Sequence, residues 1–121
     1  MRFRIDPSDL TGPARVEVNV HPTVDEMRSW AAANSDTIEP GTCAYTSDLG
    51  PDHKVNVQIH FGADDLELSL VAHEATHAAF AAHHMFRDQF IDVLTHTEDI
   101  PEWVGNLTAV IWYSFDAEGL L

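Results

Sequence analysis

Hydrophobic and polar positions alternate over the first twenty residues. Phe3 and Ile5 interleave with Arg2 and Arg4, and Val16, Val18 and Val20 interleave with Arg15, Glu17 and Asn19. A period of two marks strands with one buried face. Proline, serine, aspartate and glycine between Pro7 and Pro13 supply turn chemistry, so the pattern predicts a hairpin. The period then lengthens. Thr23-Val24-Asp25-Glu26 fits a capping box, with Val24, Met27 and Trp30 or Ala31 at helical spacing after it. This predicts a short helix over 24–34. Glu39-Pro40-Gly41 breaks the chain.

Two more strands are expected, over 42–46 and 54–61. In the second, Val55, Val57, Ile59 and Phe61 share one face, and Lys54, Asn56, Gln58 and His60 the other. Asp48 to Asp52 is turn-like. Gly62 ends the strand, and Asp64 with Glu67 forms a second capping signature. A helix over 65–85 follows, with Leu66, Leu70, Val71, Ala75, Ala78, Ala79 and Ala82 as its broad apolar side. A last helix starts at 99–101, where Pro101 suits a first turn, and Val104, Leu107, Ile111 and Phe115 form its stripe. Strands and helices in this order give an α+β fold.

Composition bounds the reading. A chain of 121 residues is the size of one domain, taken as 1–121, and 45% hydrophobic residues can build its core. Six Lys and Arg stand against 20 Asp and Glu, a net charge of −14. That balance offers no electrostatic footprint for nucleic acid or an anionic membrane. The acids are spread along the chain, as on a solvated surface. Cys43 is the single cysteine, which excludes an internal disulfide and a cysteine-rich zinc knuckle. The first residues lack the apolar core of a signal peptide, and no stretch has membrane-spanning length. A soluble, cytoplasmic protein is expected.

The long helix contains His73-Glu74-Ala75-Thr76-His77, an H-E-x-x-H motif. Residues four apart share one helical face, so two imidazoles on adjacent turns can grip one zinc ion. Glu74 stands beside the first ligand, on the flank of the metal, and can reach a water there without coordinating. Without a metal, the same residues are a polar stretch of a His-rich helix. Catalytic zinc takes a third protein ligand. His83 follows His77 at metzincin spacing, but Phe80 occupies the place where that pattern needs glycine. A continuous helix carries His83 about 9 Å further along its axis. His84 fails similarly, and both suit the negative end of the helix dipole. Downstream, His96 is a further candidate.

The segment Glu98-Asp99-Ile100-Pro101-Glu102, together with His73-Glu74-x-x-His77, resembles the gluzincin-type zincins. In those families a second helix donates a Glu to the metal, often opening a pattern E-x-x-(small)-(Asp or Asn). The resemblance implies Zn2+ held by His73, His77 and Glu98, Glu74 as general base, and Glu102 bracing a ligand histidine from behind. Here Pro101 replaces the small residue and Glu102 the Asp or Asn. A helix beginning near Asp99 leaves the reverse assignment open, with Glu102 as ligand and Glu98 as cap. Gly105, on the face of Glu98, is expected to let the last helix pack closely on the metal helix. Chain length and acidity look like the small metallopeptidases of phages and prophages. The implied fold is a minimal zincin: a small, mostly antiparallel sheet, the metal helix against it and the Glu helix alongside. In that fold an edge strand lines the cleft and adds an extended peptide to the sheet; 54–61 is the strand placed there, with a plain core strand as its equal alternative.

The implied function is a zinc metallopeptidase acting on a peptide or protein, with basic or unstructured segments steered in by the charge. Glu74 takes the proton of the attacking water and returns it to the leaving amine. His60, His96, Tyr45 and Tyr113 are available to stabilise an oxyanion, and spacing does not choose among them. The alternatives are a zinc-containing zincin-fold binding protein without turnover, such as a phage factor that binds a host protein, and a metal-free structural protein. Trp30, Trp103 and Trp112 read as packing aromatics, Cys43 as a small buried strand residue, and His21 and His53 as solvated turn residues.

Overall fold

The structure, a computed structural model, describes residues 1–6, 14–86 and 99–121. It is a small α+β arrangement of four strands and three helices. The strands are β1 (Arg2–Ile5), β2 (Val16–His21), β3 (Ala44–Asp48) and β4 (Val57–Gly62), and the helices are α1 (Val24–Ala33), α2 (Leu68–Met85) and α3 (Asp99–Ala117). The sheet order is β1-β2-β4-β3. β1–β2 and β3–β4 are antiparallel, whereas β2–β4 is parallel, so the sheet is mixed. The expected hairpin is present as β1–β2, with Ile5 opposite Val16; its turn, 7–13, lies outside the described residues.

The strand expected at the cleft edge is interior. β4 pairs with β2 on one side and β3 on the other, and β3 holds the edge. Burial explains the difference. Val57, Ile59 and Phe61 are fully buried on one face of β4, and His60 is fully buried on the other. A strand covered on both faces belongs inside a sheet. The strand also starts at Val57 rather than Lys54, because Asn56 is committed to the preceding turn. Its Oδ1 accepts from the Arg15 backbone N–H at 2.9 Å and its Nδ2 donates to the Gly50 carbonyl at 3.0 Å.

α2 and α3 cover one face of the sheet. Val71, Ala75, Ala78, Ala79 and Ala82 of α2 are buried in the core with Val16, Val18, Ile59 and Phe61. α3 contributes Trp103, Leu107, Ile111 and Phe115, a run at spacing four; Trp103 takes the buried place expected for Val104, which only packs partly against the core. Phe115 meets the Phe61 ring edge-on, with centroids 5.4 Å apart. Gly105 is not a close-packing site. It is exposed, and none of the described residues lies within 4 Å of where its Cβ would stand.

α1 covers the opposite face through Val24, Met27 and Ala31 against Tyr45. Its start is doubly capped. Thr23 Oγ1 accepts from the Glu26 N–H at 3.0 Å, as the capping box requires. Asp64 Oδ1 accepts from the Val24 N–H at 2.8 Å. The second capping signature therefore serves α1 rather than α2, which begins after Glu67 with no side-chain cap. Cys43 precedes β3 and is only half-buried. Among the described residues, no helix is long and apolar enough to cross a membrane.

Candidate metal centre

The motif sits mid-helix in α2, where the 3.6-residue repeat divides it between two directions. His73 and His77 project to the exposed side, one turn apart. Their Nε2 atoms are 3.1 Å from each other and their ring planes cross at 75°. Glu74 turns inward towards β3 and is 4% exposed. There the Thr46 hydroxyl donates to Glu74 Oε1 at 2.9 Å, with the Glu74 carbonyl also 3.4 Å from Thr46 Oγ1. A buried carboxylate needs such a donor, since its desolvation is otherwise uncompensated.

Between α2, β3 and the chain leading into β3 lies a cleft of about 580 Å³. His73, Glu74 and His77 form one wall, Thr46 and Asp48 line the edge-strand side, and Glu39 lies on the approach. Glu39 and Asp48 are exposed, so the rim is anionic. The edge strand expected for this role is present, but it is β3.

The two imidazoles suit a tetrahedral ion. Nitrogens each about 2.05 Å from one zinc stand about 3.3 Å apart, close to the 3.1 Å separation of these Nε2 atoms. Their exposure leaves the outer side open to solvent. Glu98 and His96 lie outside the described residues. Among the described residues no three His, Cys, Asp or Glu side chains gather to hold a metal. Glu102, exposed in the first turn of α3, therefore does not complete such a group there. His83 and His84 stand in the last turn of α2.

The other polar candidates lie elsewhere. His60 is fully buried on the α1 side of the sheet, stacked on Tyr45 with ring centroids 4.4 Å apart and against Trp30 at 4.6 Å. Burial, followed by the neighbouring His21, lowers its pKa to about 4. Among the described residues its Nε2 has no hydrogen-bond partner, while its Nδ1 is 3.1 Å from His21 Nε2. His21 is thus half-buried in this stack rather than solvated, and its pKa is lowered too, mainly by burial. Tyr45 donates to Asp36 Oδ2 at 3.0 Å, and burial raises its pKa. Tyr113 is exposed on α3 and His53 is exposed before β4. Sequence reasoning missed Thr46. Alternation places it with Ala44 on one face of β3, but its meeting with Glu74 depends on how α2 crosses that strand.

Comparison with known protein families, with curated proteins and with solved structures finds no match for the chain.

Proposed function

We propose that this chain is a zinc-dependent hydrolase, a metallopeptidase built on a minimal zincin plan of the gluzincin type. The observation that carries the reading is the convergence of His73 and His77 Nε2 atoms, 3.1 Å apart, in a cleft that also holds the buried Glu74 carboxylate. The motif's resemblance to zincins points the same way, as does the likeness of chain length and acidity to small phage metallopeptidases. His73 and His77 would hold the ion, with Glu98 as the proposed third ligand and Glu102 proposed to brace a ligand histidine. A bound zinc supplies Lewis acidity, activating water near neutral pH and polarising a carbonyl.

The chain's own residues do the rest. Thr46 engages Glu74 Oε1, which fixes the carboxylate and leaves Oε2 to accept a proton from water. The same oxygen then delivers that proton to the departing amine. Among the described strands β3 stands at the edge, where its backbone offers an extended peptide a line to align against. Glu39 and Asp48 at the rim, within a chain of net charge −14, favour basic peptide segments through faster encounter.

The test is Glu74→Gln, assayed on a mixture of fluorogenic peptides with basic residues, alongside metal analysis. The reading expects zinc retained and hydrolysis lost. Equal hydrolysis by variant and parent overturns it. Zinc bound by a parent that cleaves nothing points instead to a metal-containing binding protein.

A further inference from the structure

A second surface lies about 100° around α2 from the histidine pair, as the helical repeat places Leu68, Ala72, Thr76 and Phe80 relative to His73 and His77. Here α2 and α3 leave a groove of about 770 Å³. Leu68, Phe80 and Tyr113 border it and are 52%, 58% and 72% exposed. Side chains of this size left open together on a small protein mark a contact surface. The bottom is shallow in side chains, because Ala72, Gly105 and Ala109 line it. From Leu68 to Phe80 the groove follows α2 for about 18 Å, room for roughly three turns of another helix.

Charge selects the occupant. Neither α2 nor α3 contains a lysine or arginine. The described cationic side chains, Arg2, Arg4, Arg15, Arg28 and Lys54, belong to the sheet, α1 and the turn before β4. Exposed acids stand beside the groove instead: Glu67 precedes Leu68, Glu102 follows Pro101, and Asp116 lies one turn beyond Trp112. A second copy of the chain would bring another −14 charges against these acids. We propose that the α2–α3 groove docks an amphipathic helix of a partner protein whose apolar stripe is flanked by Lys and Arg. The stripe buries against Leu68, Phe80 and Tyr113, and the flanking cations meet Glu67 and Asp116, their aliphatic stems lying along the groove walls. This inference does not depend on the metal centre.

The test uses the full chain and a synthetic helical peptide of roughly 18 residues, with Leu and Phe at helical i, i+3, i+4 and i+7 positions and Lys on both flanks. Saturable, stoichiometric binding is expected, with amide shifts concentrated in α2 and α3. The double variant Phe80→Ser with Tyr113→Ser weakens it at least about tenfold, as does replacing the peptide's Lys by Glu. Both positions are exposed, and unchanged thermal unfolding of the double variant checks that the fold is intact. Equal affinity for parent and double variant overturns the proposal, as does equal affinity for the Lys and Glu peptides. Sedimentation showing a dimer that Phe80→Ser disrupts also overturns it, by giving the groove to a second copy.

Discussion

Thr46 on the edge strand donates its hydroxyl to Glu74 Oε1 at 2.9 Å, joining β3 to the middle of α2. Glu74 is the one acidic residue of the H-E-x-x-H motif and is buried, so this bond fixes the carboxylate in the cleft wall. The neighbouring imidazoles need no such support, since they face solvent and each other. One helical motif thus presents an outward pair of nitrogen donors and an inward, strand-anchored carboxylate.

Thr46→Val keeps the shape and removes the donor. With the carboxylate no longer positioned, hydrolysis by the proposed enzyme falls by at least about tenfold, equivalent to about 1.4 kcal/mol in the barrier. Zinc content stays that of the parent. Stability also drops by about 1–3 kcal/mol, because a buried acceptor loses its partner. Thr46→Ser restores both properties. Peptide cleavage, metal analysis and urea unfolding on the three proteins check this, and a fully active Thr46→Val removes Thr46 from the mechanism.

The proposed metal centre predicts a linkage between zinc and folding. An ion bound by the native chain alone adds about 2.7 kcal/mol of stability at a hundredfold excess over its dissociation constant. Zinc is expected to raise the unfolding midpoint of the parent, and a chelator to reverse the rise. His73→Ala and His77→Ala abolish it, since either removes half of the Nε2 pair. Calorimetric scans with and without zinc decide the point. A midpoint that rises equally in His77→Ala assigns the ion to other residues.

Most elements were legible from period together with caps and turn residues, because period follows from burial on one face. Val16, Val18 and Val20 gave β2, and the alanine-rich side of 65–85 gave α2. Sheet order was not, because alternation looks the same in an edge strand and in an interior strand whose polar face is roofed. His60 shows why: its polar neighbours Gln58 and Asn56 suggest an exposed face, yet α1 folds over it. The capping signature at Asp64 misled for a related reason. The side chain found an orphan N–H at the start of α1, forty residues away in sequence, instead of the local one. In the site, the His73–Glu74–His77 spacing was local and therefore readable. Thr46 was not, since its role arises from packing between distant segments.

His60 predicts an acid-sensitive fold. The imidazole titrates near 6.5 when unfolded and near 4 in the buried stack. Between those values the unfolded chain binds more protons, so stability falls as pH falls. The contribution is intact above about pH 7 and is lost by about pH 4, with a full magnitude of about 3 kcal/mol. His60→Phe fills the stack without a titrating group. Urea unfolding at several pH values between these limits is expected to show a smaller loss in the variant than in the parent. Parallel curves for the two proteins remove His60 as the cause.

Two glycines separate steric need from mere tolerance. At Gly62 an added Cβ would lie 2.4 Å from the Val24 backbone nitrogen, the same N–H that Asp64 caps. Neither backbone can retreat without breaking the junction between β4 and α1. Gly62→Ala is therefore expected to cost about 3 kcal/mol, at the upper end for overpacking. Gly105 lies inside α3, where none of the described residues comes within 4 Å of an added methyl group. Glycine there only weakens the helix, through the freedom it retains when unfolded. Gly105→Ala should add about 0.5–1 kcal/mol and raise the midpoint by roughly 3 °C. The two substitutions make the same chemical change with opposite signs, so thermal unfolding of both tests the placement of α1 on the sheet and of α3 beside α2. A stabilised Gly62→Ala overturns the close approach of β4 to α1. A destabilised Gly105→Ala means that α3 is covered at that position by a neighbour in close contact.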